Sequence, residues 1–421
     1  MSDAHAMTQH GTAAKPLPRD RALRTRAAKV IPGGMWGHMS AKRLPPAFPQ
    51  FFRSAEGTRL TDVDGNVYVD FMCAYGPMIL GYNDPDVEAA ARAQHTRMSI
   101  ANGPGEAMVD LAELMVETIP AADWAIFGKN GTDATTACVT IARAATGKRK
   151  ILIAKGAYHG SVPWCTPWPG GVLAEDRAHL IYYTYNDVPS LEAAAADAAE
   201  DLAGIMACAF RHDARADQEM PTIEFARAAR SIADRNGAAL IIDDVRAGFR
   251  LNLGGSWEPL GVQADLSAWS KAMGNGHPIA AITGKEWLRD AAQTVYLPGS
   301  FWCAAAPMVA AITTLQKLRS LDAVTHMARM GQRLRDGIAD QAAAQGVGIR
   351  QTGPAQMPLI LFDDDEDLEK GYLFTTTALQ HGVYLHPWHN MFLSAAHSDD
   401  DIDRALEATQ AGLAAVANAF R

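Results

Sequence analysis

The middle of this chain alternates two kinds of segment, and that alternation restricts the fold more than any other feature. "WAIFGK" (124–129), "ILIAK" (151–155), "GIMACAF" (204–210), "ALIIDDV" (239–245) and "IAAITG" (279–284) are short and almost wholly apolar. Between several of them lie longer helix-like stretches such as "TDATTACVTIARAATG" and "IEFARAARSIADRNG", each closed by a glycine of the kind that caps helices. A strand with one face in water alternates apolar and polar residues, whereas a strand apolar on both faces needs cover on both. The pattern predicts an α/β protein with a parallel sheet covered by helices on each side. From about residue 320 the character changes to long helical stretches, "VTHMARMGQRLRDGIADQAAAQG" among them, and a strand-like "MPLILF". These suggest a second, smaller α/β domain. The expected division is residues 1–65 joining the small domain, 66–318 as the large domain and 319–421 as the small one.

Composition narrows the function. With 48% hydrophobic and 20% charged residues in 421, the chain is globular, and its length allows two or three domains. A net charge of -9 offers no basic surface for nucleic acid or for an anionic membrane. Cys73, Cys138, Cys165, Cys208 and Cys303 are widely spaced and form no CxxC pair, so neither a disulfide framework nor a metal site is expected. No window approaches ~18 consecutive apolar residues. The N-terminus lacks the apolar stretch of a signal peptide. The expectation is a soluble cytoplasmic protein whose first ~20 residues are unstructured.

Four stretches carry candidate chemistry. In "FGKNGTDATTACVTIARAATG" a strand ends and a turn containing Asn130, Gly131 and Thr132 opens a helix, whose free amides and positive dipole end make an anion site. The bland alternative is an ordinary capped loop. In "AKGAYHGSVPW", Tyr158 and His159 follow a strand end, where ligands sit in doubly wound sheets. In "ALIIDDVRAGFR", Asp243 and Asp244 close a buried strand. A carboxylate there needs a cation, either Arg246 or Arg250 as a structural partner or the protonated ring nitrogen of a cofactor. In "LSAWSKAMGNGHPIAAITG", Lys271 lies between an apolar run and a glycine-rich turn. A partly buried lysine has a depressed pKa, and its free amine can form a Schiff base with an aldehyde. Each stretch alone has an ordinary structural reading. Together they are the parts that hold pyridoxal phosphate: a phosphate cradle, an aromatic plate for the ring, an acid for its nitrogen and a lysine that anchors the cofactor and moves the proton.

The order of "NGTDATTACVTIARAATG", "KGAYHG", "LIIDDVRAGFR" and "WSKAMGNGHPIAA", with "DVDGNVYVDFMCAYGPMILGYNDPDV" before them, resembles the class III pyridoxal-phosphate aminotransferases over nearly the whole chain. "GVYLHPWHNMFLSAAHSDDDID" is similar to the C-terminal end of the glutamate-1-semialdehyde aminomutases. The resemblance implies the fold-type I architecture, with a mostly parallel sheet of the seven-stranded type, and a homodimer with active sites at the subunit interface. It puts Asp243 at the ring-nitrogen acid, Val245 behind the ring and Lys271 at the Schiff-base lysine. Ser300, in "PGSFWCAAAP", takes the place of a hydroxyl residue that reaches the partner subunit's phosphate. Departures from the aminomutases follow "IPGG" and "YHG", and Asn390 and Met391 stand where those enzymes carry a glutamate. Cys208-Ala209-Phe210-Arg211 replaces a Glu-Pro pair common in the class. "YYTYND", "FRHD", "GSFW" and "HPWHNMFLSAAH" resemble instead the fumonisin-degrading sub-branch. The implied function is transfer of an amino group from a bulky amine to pyruvate by a ping-pong mechanism, with aminomutase isomerisation as the alternative. Trp36, Tyr75, Trp164, Trp302 and Trp388 are candidate walls of the amine pocket. Arg211 is the first candidate for the keto-acid carboxylate, then Lys42 or Arg43. Cys208 reads as a small buried hydrophobe.

Overall fold

The computed structural model describes residues 16–420 and divides into two compact units. The polar N-terminal stretch expected to be unstructured lies mostly outside the described residues, and the chain is helical from Pro18 to Val30. The larger unit runs from Cys73 to Ala328 and includes Ser394–Ala396. The smaller takes the chain up to Met72 together with Arg329–Leu393 and the stretch from His397 onward.

Seven strands form the sheet of the larger unit: β1 (Trp124–Gly128), β2 (Lys150–Ala154), β3 (Leu180–Tyr183), β4 (Leu202–Cys208), β5 (Ala239–Asp243), β6 (Leu266–Trp269) and β7 (Ala280–Gly284). Their spatial order is β1-β7-β6-β5-β4-β2-β3. Every neighbouring pair is parallel except those of β7, which runs antiparallel to both β1 and β6. The carboxyl ends of β1, β2, β4, β5 and β6 therefore emerge at one edge, and the amino end of β7 joins them there.

The apolar strands are covered on both faces because successive side chains alternate. Ile151, Ile153, Ala239 and Ile241 pack with Ala134, Ala137, Cys138 and Ile141 of helix α1 (Gly131–Thr146). Leu152, Ala154, Leu240 and Ile242 pack on the other face with Phe225, Ala229 and Ile232 of helix α2 (Ile223–Arg235). Each fully buried Ile, Leu or Phe contributes about 1.5–3 kcal/mol of hydrophobic stabilisation. The two helices end as their sequences predict. Gly147 (φ 67°) donates its amide to Arg143, and Gly237 (φ 55°) donates its amide to Asp234.

In the smaller unit, Phe52–Glu56, Arg59–Asp62, Val67–Asp70 and Val383–Tyr384 form a four-stranded sheet, and Ile349–Thr352 pairs with Leu359–Phe362. The "MPLILF" run is thus the strand Leu359–Phe362, buried throughout.

Candidate active site

The shared strand edge holds a cavity of about 390 Å³, and every residue lining it belongs to the larger unit. Its floor is built where β1 passes into α1. Asn130 caps α1 by accepting from the Asp133 amide, while the Asp133 carboxylate accepts from the amides of Lys129 and Asn130 at 2.9 and 3.0 Å. That reciprocal box fixes the turn and leaves Gly131 and Thr132 as first helical residues, whose amides have no acceptor one turn back. A Cβ on Gly131 would lie 2.5 Å from Cγ1 of Val245, so only glycine brings the two segments this close. Thr132 Oγ1 accepts from the Ser161 amide at 3.2 Å, tying the turn after β2 to the start of α1.

The acid side of the site is a buried chain of polar groups. Asp243 ends β5 at 7% exposure, and His159 is 3% exposed. His159 Nδ1 lies 2.7 Å from Asp243 Oδ2, and the other carboxylate oxygen accepts from the Val245 amide at 3.1 Å. Burial opposes charge on His159, but the Cys208 sulfur and the Asp243 carboxylate outweigh it and raise the ring's pKa. The neighbouring Asp244 does different work. It is 2% exposed and turns to Ser256, accepting from both its amide and its hydroxyl, and burial lifts its pKa to about 6. Strand alternation thus sends one aspartate to the cavity and the other into the protein.

Lys271 follows β6 in the left-handed region at φ 46°, an unusual conformation for a non-glycine residue and a mark of functional sites. The turn is held by Ser270, whose hydroxyl donates to the Ile279 carbonyl at 2.8 Å. Asn275 pins the loop by accepting from the Leu80 amide and donating to the Gly81 carbonyl. Burial and then the charge of Arg246 pull the Lys271 pKa down to about 7, with Asp243 working against them. Near neutral pH a large share of this amine is therefore unprotonated.

Asn130, Gly131, Thr132, Tyr158, His159, Asp243, Val245 and Lys271 all line the cavity. So do Lys129, His212, Arg246 and His277, which the sequence did not single out as binding residues. Lys129 Nζ is buried with no hydrogen-bond partner, and burial lowers its pKa. Its position directly before the Asn-Gly-Thr turn was the available signal.

Arg211 is not among the lining residues. Its guanidinium pairs with Glu219 at 2.9 Å and donates to the Asp217 carbonyl at 3.1 Å. Trp164 does not line the cavity either: it stacks on His159 at 6.5 Å and 14° and donates to Thr136 Oγ1. Tyr75 closes a run of three left-handed residues, Cys73 to Tyr75, just before the lining residue Pro77. Ser300 is exposed and Trp302 folds back over Gly299. Trp36 and Trp388 belong to the smaller unit, where Trp36 is 67% exposed and Trp388 packs edge-on against His386. Lys42 and Arg43 form a short helical turn there with Ala41. Among the described residues no cluster of His, Cys, Asp or Glu is arranged to hold a metal, and no helix is long and apolar enough to cross a membrane.

A helix N-terminus beside a buried orphan ammonium suits a phosphate, a buried carboxylate suits a protonated ring nitrogen, and a lysine of lowered pKa suits an aldehyde. The residues present fit pyridoxal phosphate, and the site is that of a pyridoxal-phosphate transferase. The family model for class III aminotransferases matches residues 40–168 and 179–412. An aminopentol aminotransferase of Sphingopyxis macrogoltabida is 50% identical over 402 residues, covering 96% of this chain and 95% of that protein. A 3-aminobutyryl-CoA aminotransferase of Cloacimonas acidaminovorans is 34% identical over 95% of this chain and 98% of its own length. The solved structure of the FumI protein of Sphingopyxis sp. MTA144, in its pyridoxal-phosphate internal aldimine form, superposes with a TM-score of 0.94 at 50% identity, covering 96% of this chain and 97% of that one. The chain belongs to the class III, fold-type I, pyridoxal-phosphate-dependent aminotransferases. It is an enzyme that exchanges an amino group between an amine and a keto acid.

Proposed function

We propose that this aminotransferase takes its amino group from a bulky primary amine and passes it to pyruvate. The observation that carries the acceptor half is Arg246, which among the described residues is the arginine lining the cavity, together with Lys271. A guanidinium is suited to gripping a small carboxylate in two-pronged fashion. The donor half is supported by the 50% identity to a protein named for aminopentol, a large amine.

When bound, the cofactor supplies an electron sink for the carbon that gives up its proton. The chain's own residues do the rest. The first amides of α1 and the Thr132 hydroxyl would hold its phosphate, with Lys129 as a balancing charge. Asp243 would keep a proton on its ring nitrogen, and Val245 and Tyr158, which line the same cavity, would hold the ring. Lys271, low in pKa, would anchor the cofactor through its unprotonated amine and, when free, would serve as the base that moves the substrate's proton. Tyr75, two residues before the lining residue Pro77, would border the path of the amine. The enzyme works as a cytoplasmic homodimer, with Ser300 serving the partner's phosphate. Tyr296 at 87% and Phe301 at 66% exposure flank that serine and support a paired surface.

The test is a half-reaction followed by the cofactor's visible absorbance. Purified holoenzyme is mixed with a long-chain or aryl amine, or with L-alanine, and no acceptor. Bleaching that pyruvate reverses supports the reading. Reaction with glutamate semialdehyde alone, giving product without any keto acid, would assign it to the aminomutases, some of which are 30% identical to this chain.

A further inference from the structure

We propose that Cys208 is a positioning residue: its sulfur caps the far nitrogen of His159 and thereby governs the hydrogen bond that His159 gives to Asp243. The inference rests on the pyridoxal-phosphate reading of the site and assigns a group that reading does not use.

Cys208 is the last residue of β4 and pairs in register with Asp243 on β5. His159 reaches between them from the turn after β2. Its Nε2 lies 4.0 Å from Cys208 Sγ, and its Nδ1 lies 2.7 Å from Asp243 Oδ2. The ring has little freedom to turn. Thr135 Oγ1 donates to the His159 carbonyl at 2.6 Å, and Trp164 stacks alongside. Cys208 is 3% exposed, which excludes it as an external nucleophile. A sulfur at this distance is a weak donor as S–H and a weak acceptor as S, so it serves the imidazole in both charge states. With a neutral ring the thiol donates to Nε2; with a protonated ring Nε2–H donates to sulfur. In both, the proton on Nδ1 faces Asp243. With alanine at 208, a buried ring nitrogen loses its partner on that side, and the charged form loses its acceptor.

Other titratable groups surround this chain. Tyr183 and Tyr185 lie near Cys208 from the end of β3 and the turn after it, Cys138 of α1 lies near Asp243, His212 of the turn after β4 is held neutral by burial, and Arg246 adds positive charge from the turn after β5. Burial alone would keep His159 neutral, yet the sulfur and the carboxylate together raise its pKa to about 10.

The experiment compares wild type, Cys208→Ala, Cys208→Ser and, for assignment, His159→Asn. Nitrogen-15 histidine NMR of the apoenzyme reads the charge of the ring directly, and a pH titration of the holoenzyme's visible absorbance reads the effect on the bound cofactor. In Cys208→Ala the His159 ring is expected to deprotonate at least one pH unit lower than in wild type. Where the ring then loses its charge within the range of the absorbance titration, the midpoint rises by about half a unit. Cys208→Ser, which keeps a donor and acceptor, restores both. A His159 ring in Cys208→Ala that titrates as in wild type overturns the inference. So does an alanine variant with unchanged absorbance whose only defect is a lowered melting temperature, because a packing role predicts that result. A wild-type protein with no visible absorbance would instead refute the cofactor reading itself.

Discussion

Gly131→Ala tests the cofactor cradle through one methyl group. The added Cβ would lie 2.5, 3.0 and 3.3 Å from the three side-chain carbons of Val245. Carbon atoms rest at about 3.5–4.0 Å, so one segment must retreat by about 1 Å. Neither yields easily: the Asp133 box locks the start of α1, and Val245 follows the buried end of β5. Overpacking of this kind costs about 1–3 kcal/mol. Ala would otherwise favour the helix by up to about 1 kcal/mol, so the sign of the effect decides whether the clash is real. If the strain moves the phosphate-binding amides, cofactor affinity falls about 5- to 150-fold. The assay is titration of apoenzyme with pyridoxal phosphate, alongside a thermal melt. Val245→Ala removes the opposing methyls and is expected to recover the melting temperature of Gly131→Ala. Wild-type affinity in Gly131→Ala, or a double variant no more stable than the single one, would refute the argument.

Three further outcomes are expected. Lys271→Ala loses more than about 99% of turnover, since it removes both the anchor and the proton carrier; retention of one percent of the rate undoes the assignment. Arg246→Gln raises the KM for pyruvate about 10- to 100-fold while leaving the amine half-reaction within a few-fold, as loss of a charged hydrogen bond to a carboxylate predicts. Equal losses in both half-reactions would show that Arg246 is not specific to the acceptor. Asp244, with its pKa raised to about 6, favours the folded state most when protonated. Its contribution is present below about pH 4 and declines as pH rises through 6, so Asp244→Asn is expected to remove that decline in denaturant melts. A wild-type and variant stability difference that stays constant from pH 4 to 7 excludes it.

The strands and the order of the site motifs were legible because both depend on local pattern. Continuous apolar runs mark a sheet covered on two faces, and strand ends in a parallel sheet share an edge. What the sequence did not reveal is which side chains turn into the cavity. Arg211 and Arg246 both follow strand ends, but Glu219 and the Asp217 carbonyl hold the first away while the second lines the site. Trp164 looked like a pocket wall, yet it braces His159 from behind. Cys208 reads as a small apolar residue until the register of β4 against β5 puts its sulfur beside a histidine from another turn. Contacts between three separate chain segments leave no local periodicity to read.

The cavity's charge balance connects these features. Lys129, Arg246 and Lys271 line it against the single carboxylate of Asp243, which is already engaged by His159. Gathering cations in a half-enclosed space is unfavourable without anions to meet them. A phosphate dianion at the start of α1, beside the buried Lys129 ammonium that has no hydrogen-bond partner, would meet that need. The same excess of positive charge helps drive the Lys271 amine toward its neutral, reactive form. Removing Arg246 would then also make Lys271 more basic, a change that a higher assay pH offsets, so comparing the two half-reactions across pH separates loss of acceptor binding from loss of lysine reactivity.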